Sequence, residues 1–262
     1  MLKHILYFSL FLALFLACSE VKSNKETQEG EPVQQKVSQM SEPEHQQVVL
    51  VSIPDWNAVE GRLMRYEWEG GVWQAQDEGW PIVVGKAGMA WGKGMREFPD
   101  AEGPQKVEGD KRSPAGVFIL GAAFGYADKP DWLEGPYVHV IPSTMCIEDG
   151  ESQFYNQIID EKEESADWNS TDHMLRKDDL YEWGVFVAHN SPEAESGKGS
   201  CIFLHVWRRN DSGTAGCTAM DKSRMKELVA WLKPQKRPIL LQMPEKAQEL
   251  NELKRELNLP SL

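Results

Sequence analysis

The chain has 262 residues, 41% of them apolar, which is enough for one large or two small domains with a buried core. Its 41 Asp and Glu against 28 Lys and Arg leave a net charge of -13, which opposes binding of nucleic acid or an anionic membrane surface by diffuse electrostatics. Any basic site must therefore be local. Four cysteines without a C-x-x-C pair exclude a disulfide-built scaffold, a zinc ribbon and a thioredoxin-type redox site.

At the N-terminus, Lys3 and His4 precede an apolar run from Ile5 to Leu16 that ends at Ala17-Cys18 and gives way to polar Ser19-Glu20. This is the pattern of a signal peptide over residues 1–17. About 12 apolar residues are too few to span a hydrocarbon core as a helix, which needs about 20. A small residue followed by Cys at the end of such a run resembles a bacterial lipobox, although Phe15 and Leu16 depart from its usual order. That resemblance implies a lipidated Cys18 and attachment to the membrane through the lipid. By the same analogy, Ser19 implies a periplasm-facing envelope lipoprotein, on the outer membrane where there are two. Residues 18–46, rich in Glu, Gln, Lys, Ser and Pro, cannot bury enough apolar area to offset chain entropy and read as a flexible tether. The folded part begins near Gln47 and is one domain, running to Pro244 with a C-terminal amphipathic helix over 245–262.

Strand-forming runs with Gly and Pro punctuation follow at Val48–Ile53, Leu63–Glu69, Val72–Gln76, Ile82–Val84, Val117–Leu120, Tyr137–Ile141, Val185–Ala188, Ile202–Trp207 and Ile239–Met243. Leu63 to Trp68 alternates apolar and polar residues, predicting a half-exposed hairpin strand that turns at Gly70-Gly71. Cys201 to Trp207 is apolar on both faces and predicts a central strand, with His205 as its one ionisable residue. Between Ser143 and Trp183 lies a long polar stretch, expected to be a lid, a binding loop or a partly helical insertion bordering the active cleft. Met225, Leu228, Val229 and Leu232 mark a helix that stops before Pro234, and Ala247, Leu250, Leu253 and Leu257 mark a second, docked on the domain.

The segment from Gly199 to Met220 carries the chemistry. His205 lies near the end of a buried strand, and Cys217 follows a Gly-containing turn and is read as opening a helix. A free thiol has a pKa near 8.5, and both an imidazole that takes its proton and a helix N-terminus favour the thiolate. The Gly216 and Cys217 amides are candidates to face a developing oxyanion. Cys/His acyl transfer follows from this pairing; the competing interpretation is a core histidine and a small buried thiol.

Ser113-Pro114-Ala115-Gly116-Val117-Phe118, the strand histidine His205 and the turn Thr214-Ala215-Gly216-Cys217 together resemble the L,D-transpeptidase catalytic domain of the YkuD type. Gly85-Lys-Ala-Gly88, Cys146-Ile-Glu-Asp149, Trp183-Gly-Val, His189-Asn190 and Gly199–His205 resemble one branch of its secreted members. The resemblance covers about Val48 to Pro244. It implies a mainly β fold with α, of the mixed β-sandwich type, and peptidoglycan stem peptides as substrate. Cys217 would form a thioester and release D-Ala, with His205 as general base and then acid, and the Thr214 carbonyl orienting the imidazole. Thr214, Ala215 and Gly216 would supply backbone support.

Departures from the pattern are Ala215 where a His is commoner and Ala219 where an Arg is commoner. Arg208 or Arg209 is the candidate replacement cation for a substrate carboxylate. His189 and Asn190 either line the same cleft or support it. Histidines at 139, 173, 189 and 205 form no H-E-x-x-H or tight ligand pair, so neither a metal nor a cofactor is expected. With Cys18 assigned to lipid and Cys217 to catalysis, Cys146 and Cys201 remain; they form a disulfide in an oxidising compartment only if their Cα atoms come within 4.4–6.8 Å, a typical range. Three readings stay open: transpeptidation to an amine, hydrolysis as an L,D-carboxypeptidase or endopeptidase, and a non-catalytic peptidoglycan-binding lipoprotein.

Overall fold

The computed structural model describes residues 42–260. The signal segment, Cys18 and nearly all of the expected tether lie outside the described residues. The chain opens with β1 (Gln47–Ile53), β2 (Glu60–Glu69), β3 (Val72–Ala75), β4 (Trp80–Val83), β5 (Met89–Trp91) and the long β6 (Ser113–Gly125). Next come β7 (Tyr137–His139), β8 (Thr144–Ile147), β9 (Ile158–Asp160), β10 (Thr171–His173), β11 (Trp183–Val187), β12 (Phe203–Val206) and β13 (Thr218–Met220). Helix α1 (Lys222–Trp231), a 3-10 turn at Pro234–Lys236, β14 (Ile239–Pro244) and α2 (Gln248–Glu256) complete a mainly β fold with two helices.

The main sheet runs β1-β14-β6-β11-β12-β13-β4-β2-β3, and a further pairing of β1 with β2 closes the path on itself. Closure removes most free edges and encloses a core that includes Val48, Leu63, Ile82, Phe118, Leu204 and Leu241. Each such aliphatic side chain contributes about 1.5–3 kcal/mol when buried. Strand β12 is buried at every position and lies between β11 and β13, the central place that its unbroken apolar run predicts. The β2–β3 hairpin turns at Gly70 and Gly71, whose φ values of 60° and 86° suit a two-residue turn with both central residues left-handed.

Three expectations need correction. Strand β2 is not half-exposed: Arg65 and Glu67 are buried on the supposedly solvated face. Arg65 pairs with Asp77 (2.8 Å) and Glu227 (2.6 Å) beneath the Trp80 and Trp231 rings, while Glu67 accepts from Gln47 at 3.1 Å and pairs with Lys236. Burial of these charges is compensated by partners distant in sequence.

The stretch from Ser143 to Trp183 contains no helix, which removes the partly helical alternative. It folds as a separate three-stranded sheet, β10-β8-β9.

Cys217 does not open a helix. Strand β13 intervenes, and α1 begins after Asp221, whose carboxylate caps it by accepting from Ser223 N at 2.8 Å.

Candidate active site

The turn that carries Cys217 is tied down on two sides. Thr214 N donates to Val84 O and Lys86 N donates to Thr214 O, both at 2.9 Å, which moors the turn to the segment following β4. Gly85 must be small there, because a Cβ would stand 2.3 Å from Lys111 O. On the other side, Ser113 Oγ donates to Cys217 O at 2.7 Å and accepts from Gly85 N at 2.9 Å. Gln242 links Pro114 O (2.8 Å) to the Thr218 hydroxyl (2.6 Å). The Ser-Pro motif at the start of β6 thus holds the backbone of Cys217 and its successor.

Parallel pairing of β12 with β13 sets Leu204 opposite Thr218 and His205 opposite Ala219. The histidine in β12 and the thiol just before the neighbouring β13 therefore border one cleft. His205 Nδ1 lies 2.7 Å from Val206 O; since a carbonyl only accepts, Nδ1 carries the hydrogen and Nε2 is left as a base. The Tyr181 ring meets the imidazole edge-on at 5.2 Å, and its hydroxyl donates to Asp172 at 2.5 Å. Burial pulls His205 down to about 4. Cys217 Sγ accepts from Phe203 N at 3.4 Å and donates to Cys201 O at 3.6 Å.

Burial pushes the Cys217 thiol up from 9.0 to about 12, equivalent to about 4 kcal/mol against the thiolate. A helix N-terminus would return only about 0.3–1 kcal/mol. Burial thus works against the thiolate that the imidazole was expected to favour, and it holds both the thiol and the imidazole toward their neutral forms. The Thr214 carbonyl does not orient the imidazole either, because it is occupied by Lys86 N while Val206 O takes that place. Nor is the Gly216 amide turned to the substrate; it donates to Thr214 Oγ1 at 3.1 Å, and the same hydroxyl donates to Cys217 O.

The cleft has a volume of about 290 Å³. Lys86, Arg176 and Arg208 line it together with Tyr181 and the turn from Ser212 to Ala215, and no carboxylate is among the lining residues. Arg176 is paired with Asp172 and Asp178, and Arg208 with Asp178, so the carboxylates stand behind the cations that line the cleft. Arg208 reaches the cleft and pairs with Asp178 at 2.7 Å, whereas Arg209 pairs with Asp211 at 2.9 Å on the exposed loop and does not line it. Lys86 stands in the Gly85–Gly88 motif with no role assigned to it there, and Arg176 and Tyr181 belong to the polar stretch expected to border the cleft. A second cleft of about 320 Å³, lined by residues such as Ile119, Leu120, Val229 and Leu232, is apolar and holds no thiol or hydroxyl nucleophile. Size does not select the site.

His189 and Asn190 lie outside the Cys217 cleft, which corrects the substrate-positioning alternative. His189 Nε2 is 3.0 Å from Lys198 O, and Asn190 bonds Glu195 N (2.9 Å), Glu195 O (2.9 Å) and Gly199 O (3.0 Å). They brace the loop leading to β12. Cys146 and Cys201 are joined by a disulfide, with their Cα atoms 5.9 Å apart.

No curated protein matches the sequence. Among solved structures, the helical cell shape determining protein Pgp2 from Campylobacter jejuni aligns at 16% identity and a TM-score of 0.35, over 78% of this chain and 49% of that one. The chain thus spans about half the length of that protein. The family model of the L,D-transpeptidase catalytic domain, YkuD, matches residues 47–241, and the chain belongs to that family.

Proposed function

We propose that the protein forms a thioester between Cys217 and a peptidoglycan stem peptide, releases D-Ala and passes the acyl group to an amine acceptor. The observation that carries this reading is a thiol and a free imidazole nitrogen opening on one cleft. Cys217 Sγ attacks the carbonyl that joins the third, L-centred stem residue to D-Ala. Its proton, held on Cys201 O in the resting site, turns to His205 Nε2 and passes to it as the S–C bond forms, so no free thiolate has to exist in the buried resting site. The imidazolium keeps its Nδ1–H on Val206 O. Collapse of the tetrahedral adduct breaks the C–N bond, and His205 returns the proton to the departing amine.

An acceptor amine then attacks the thioester, the C–S bond breaks, and the thiol is restored. The Ala215 and Cys217 amides are the backbone donors proposed for the oxyanion, since Gly216 N is engaged with Thr214. Lys86, Arg176 and Arg208 suit the carboxylates of a stem peptide.

The test is mass spectrometry of products after incubating disaccharide tetrapeptide with the wild type and with Cys217→Ala. A cross-linked dimer from the wild type alone is expected. Tripeptide and free D-Ala without dimer would make water the acceptor, and an untouched substrate with folded wild type would remove the enzymatic reading.

A further inference from the structure

We propose that Cys201 is a positioning residue for the nucleophile, held in place by its disulfide to Cys146, so that acylation of Cys217 depends on that bond being closed. The proposal rests on the reading of Cys217 as the nucleophile. Both hydrogen bonds to Cys217 Sγ come from one short segment of main chain, Cys201 O and Phe203 N. The orientation of the thiol in the cleft is therefore set by where residues 201–203 lie. Phe203 is fixed by pairing with Phe186 in the sheet. Cys201 precedes the strand and has a left-handed backbone with φ 55°, a conformation that a non-glycine residue leaves unless its surroundings hold it.

Two restraints hold it. One is the disulfide to Cys146, in the middle strand of the small β10-β8-β9 sheet. The other is Asn156, whose Oδ1 accepts from Cys201 N at 2.8 Å while its Nδ2 donates to His189 O and Asn190 O, each at 2.8 Å. The small sheet also touches the cleft: Asp172 on β10 accepts from Tyr181 and pairs with Arg176 at 3.4 Å. The disulfide thus joins the element that presents Arg176 and Tyr181 to the segment that aims the thiol. Opening it frees Cys201 to leave the left-handed region, withdraws the carbonyl that receives the S–H, and lets the thiol turn away from the line between His205 and the scissile carbonyl.

The test replaces both cysteines, Cys146→Ala with Cys201→Ala, so that no stray thiol competes. The backbone carbonyl at 201 is retained, and the variant reports on the restraint itself. The charged and titratable groups around the thiol, Asp172, Glu148, Lys106, His205 and Tyr181, are unchanged. Two quantities are measured: kcat and KM for tetrapeptide, and the pH midpoint for alkylation of Cys217 by iodoacetamide, followed by mass spectrometry.

We expect kcat to fall roughly 10- to 100-fold, the scale of a displacement of up to about 1 Å at a reacting group, with KM little changed. The alkylation midpoint should fall as the loosened thiol gains solvent. Mere loss of stability would reduce the active fraction and leave the KM and alkylation midpoint of the folded remainder in place. An unchanged kcat and midpoint in a folded variant would overturn the proposal. If the double variant does not fold, Cys146→Ser with Cys201→Ser takes its place; it should lower kcat and the midpoint in the same directions, and no change in either in the folded protein would overturn the proposal. A wild type that is inert toward tetrapeptide, yet whose alkylation midpoint still moves on removing the disulfide, would reject the function proposed above and leave the positioning of the thiol standing.

Discussion

His205 lies in β12 and His189 just beyond the neighbouring β11, both are buried, and burial pulls both down to about 4. Their ring hydrogens are disposed alike, each on a main-chain carbonyl: Val206 for one, Lys198 for the other. They differ in what the second nitrogen meets. At His205 it is left to a cleft shared with a thiol; at His189 the Nδ1 atom has no hydrogen-bond partner and is closed over by Gly92, where a Cβ would lie 2.9 Å away. A perturbed ionisation marks burial, and access to a reacting partner is what separates a catalytic histidine from a structural one.

Exchanging each histidine for Gln gives the largest contrast. His205→Gln removes the base and should lower kcat/KM for tetrapeptide by about 10²–10⁴ while the domain stays folded. His189→Gln should leave kcat within a few-fold and lower stability by about 0.5–3 kcal/mol, because the buried ring and its edge-on contact with Phe118 are lost. A His189 variant that loses activity without losing stability would break the distinction.

The pH dependence sharpens it. His205 must be neutral to accept the thiol proton, so activity should hold through the mildly acidic range and fall only as pH drops through about 4, well below the limb of an ordinary histidine near 6.5. Stability responds to both rings. Each binds its proton more weakly folded than unfolded, so the unfolded state takes up more protons below 6.5, and stability declines as pH falls from 6.5 toward about 4. Denaturant titrations across this window should show the slope reduced in either Gln variant, whereas the acid limb of kcat/KM should be unmoved by His189→Gln.

Much of the site is legible in the sequence because its parts are local. The unbroken apolar run around His205 and the Gly-rich turn before Cys217 announce a buried strand and a presented thiol within one short segment. What is not legible depends on pairing at a distance. Thr218 to Met220 carries no strand pattern of its own and becomes β13 only by lying along β12, which is why the residue after Cys217 reads as a helix start. The Asp221 side chain that caps α1 is the local signal that places the helix further on. Arg65 and Glu67 read as solvated because their partners, Asp77, Glu227 and Lys236, come from other parts of the chain. The cations of the cleft are of the same kind: Lys86 and Arg176 stand far from Cys217 in sequence and meet it only through the fold.

The smallest effect concerns those cations, and it tests whether lining the cleft matters as much for binding as it does for the histidines. Arg176 and Arg209 are both ion-paired, but the Arg176 side chain is 32% exposed and lines the cleft, while that of Arg209 is 71% exposed and does not. A carboxylate arriving beside Arg176 gains a charge-assisted hydrogen bond, typically about 1.5–3 kcal/mol, offset by competition from Asp172 and Asp178, which already accept from it. A net of about 1.4 kcal/mol corresponds to a tenfold rise in KM for Arg176→Ala, with kcat little altered. Arg209→Ala removes only an exposed pair, worth about 0–1 kcal/mol to the fold and nothing to the cleft. Its KM should match the wild type. Because the Arg176 interaction is electrostatic and the cleft is open to solvent, raising the salt concentration should increase the wild-type KM more than that of Arg176→Ala. Equal KM values for the two arginine variants at low salt would show that position in the cleft does not decide how the carboxylate is held.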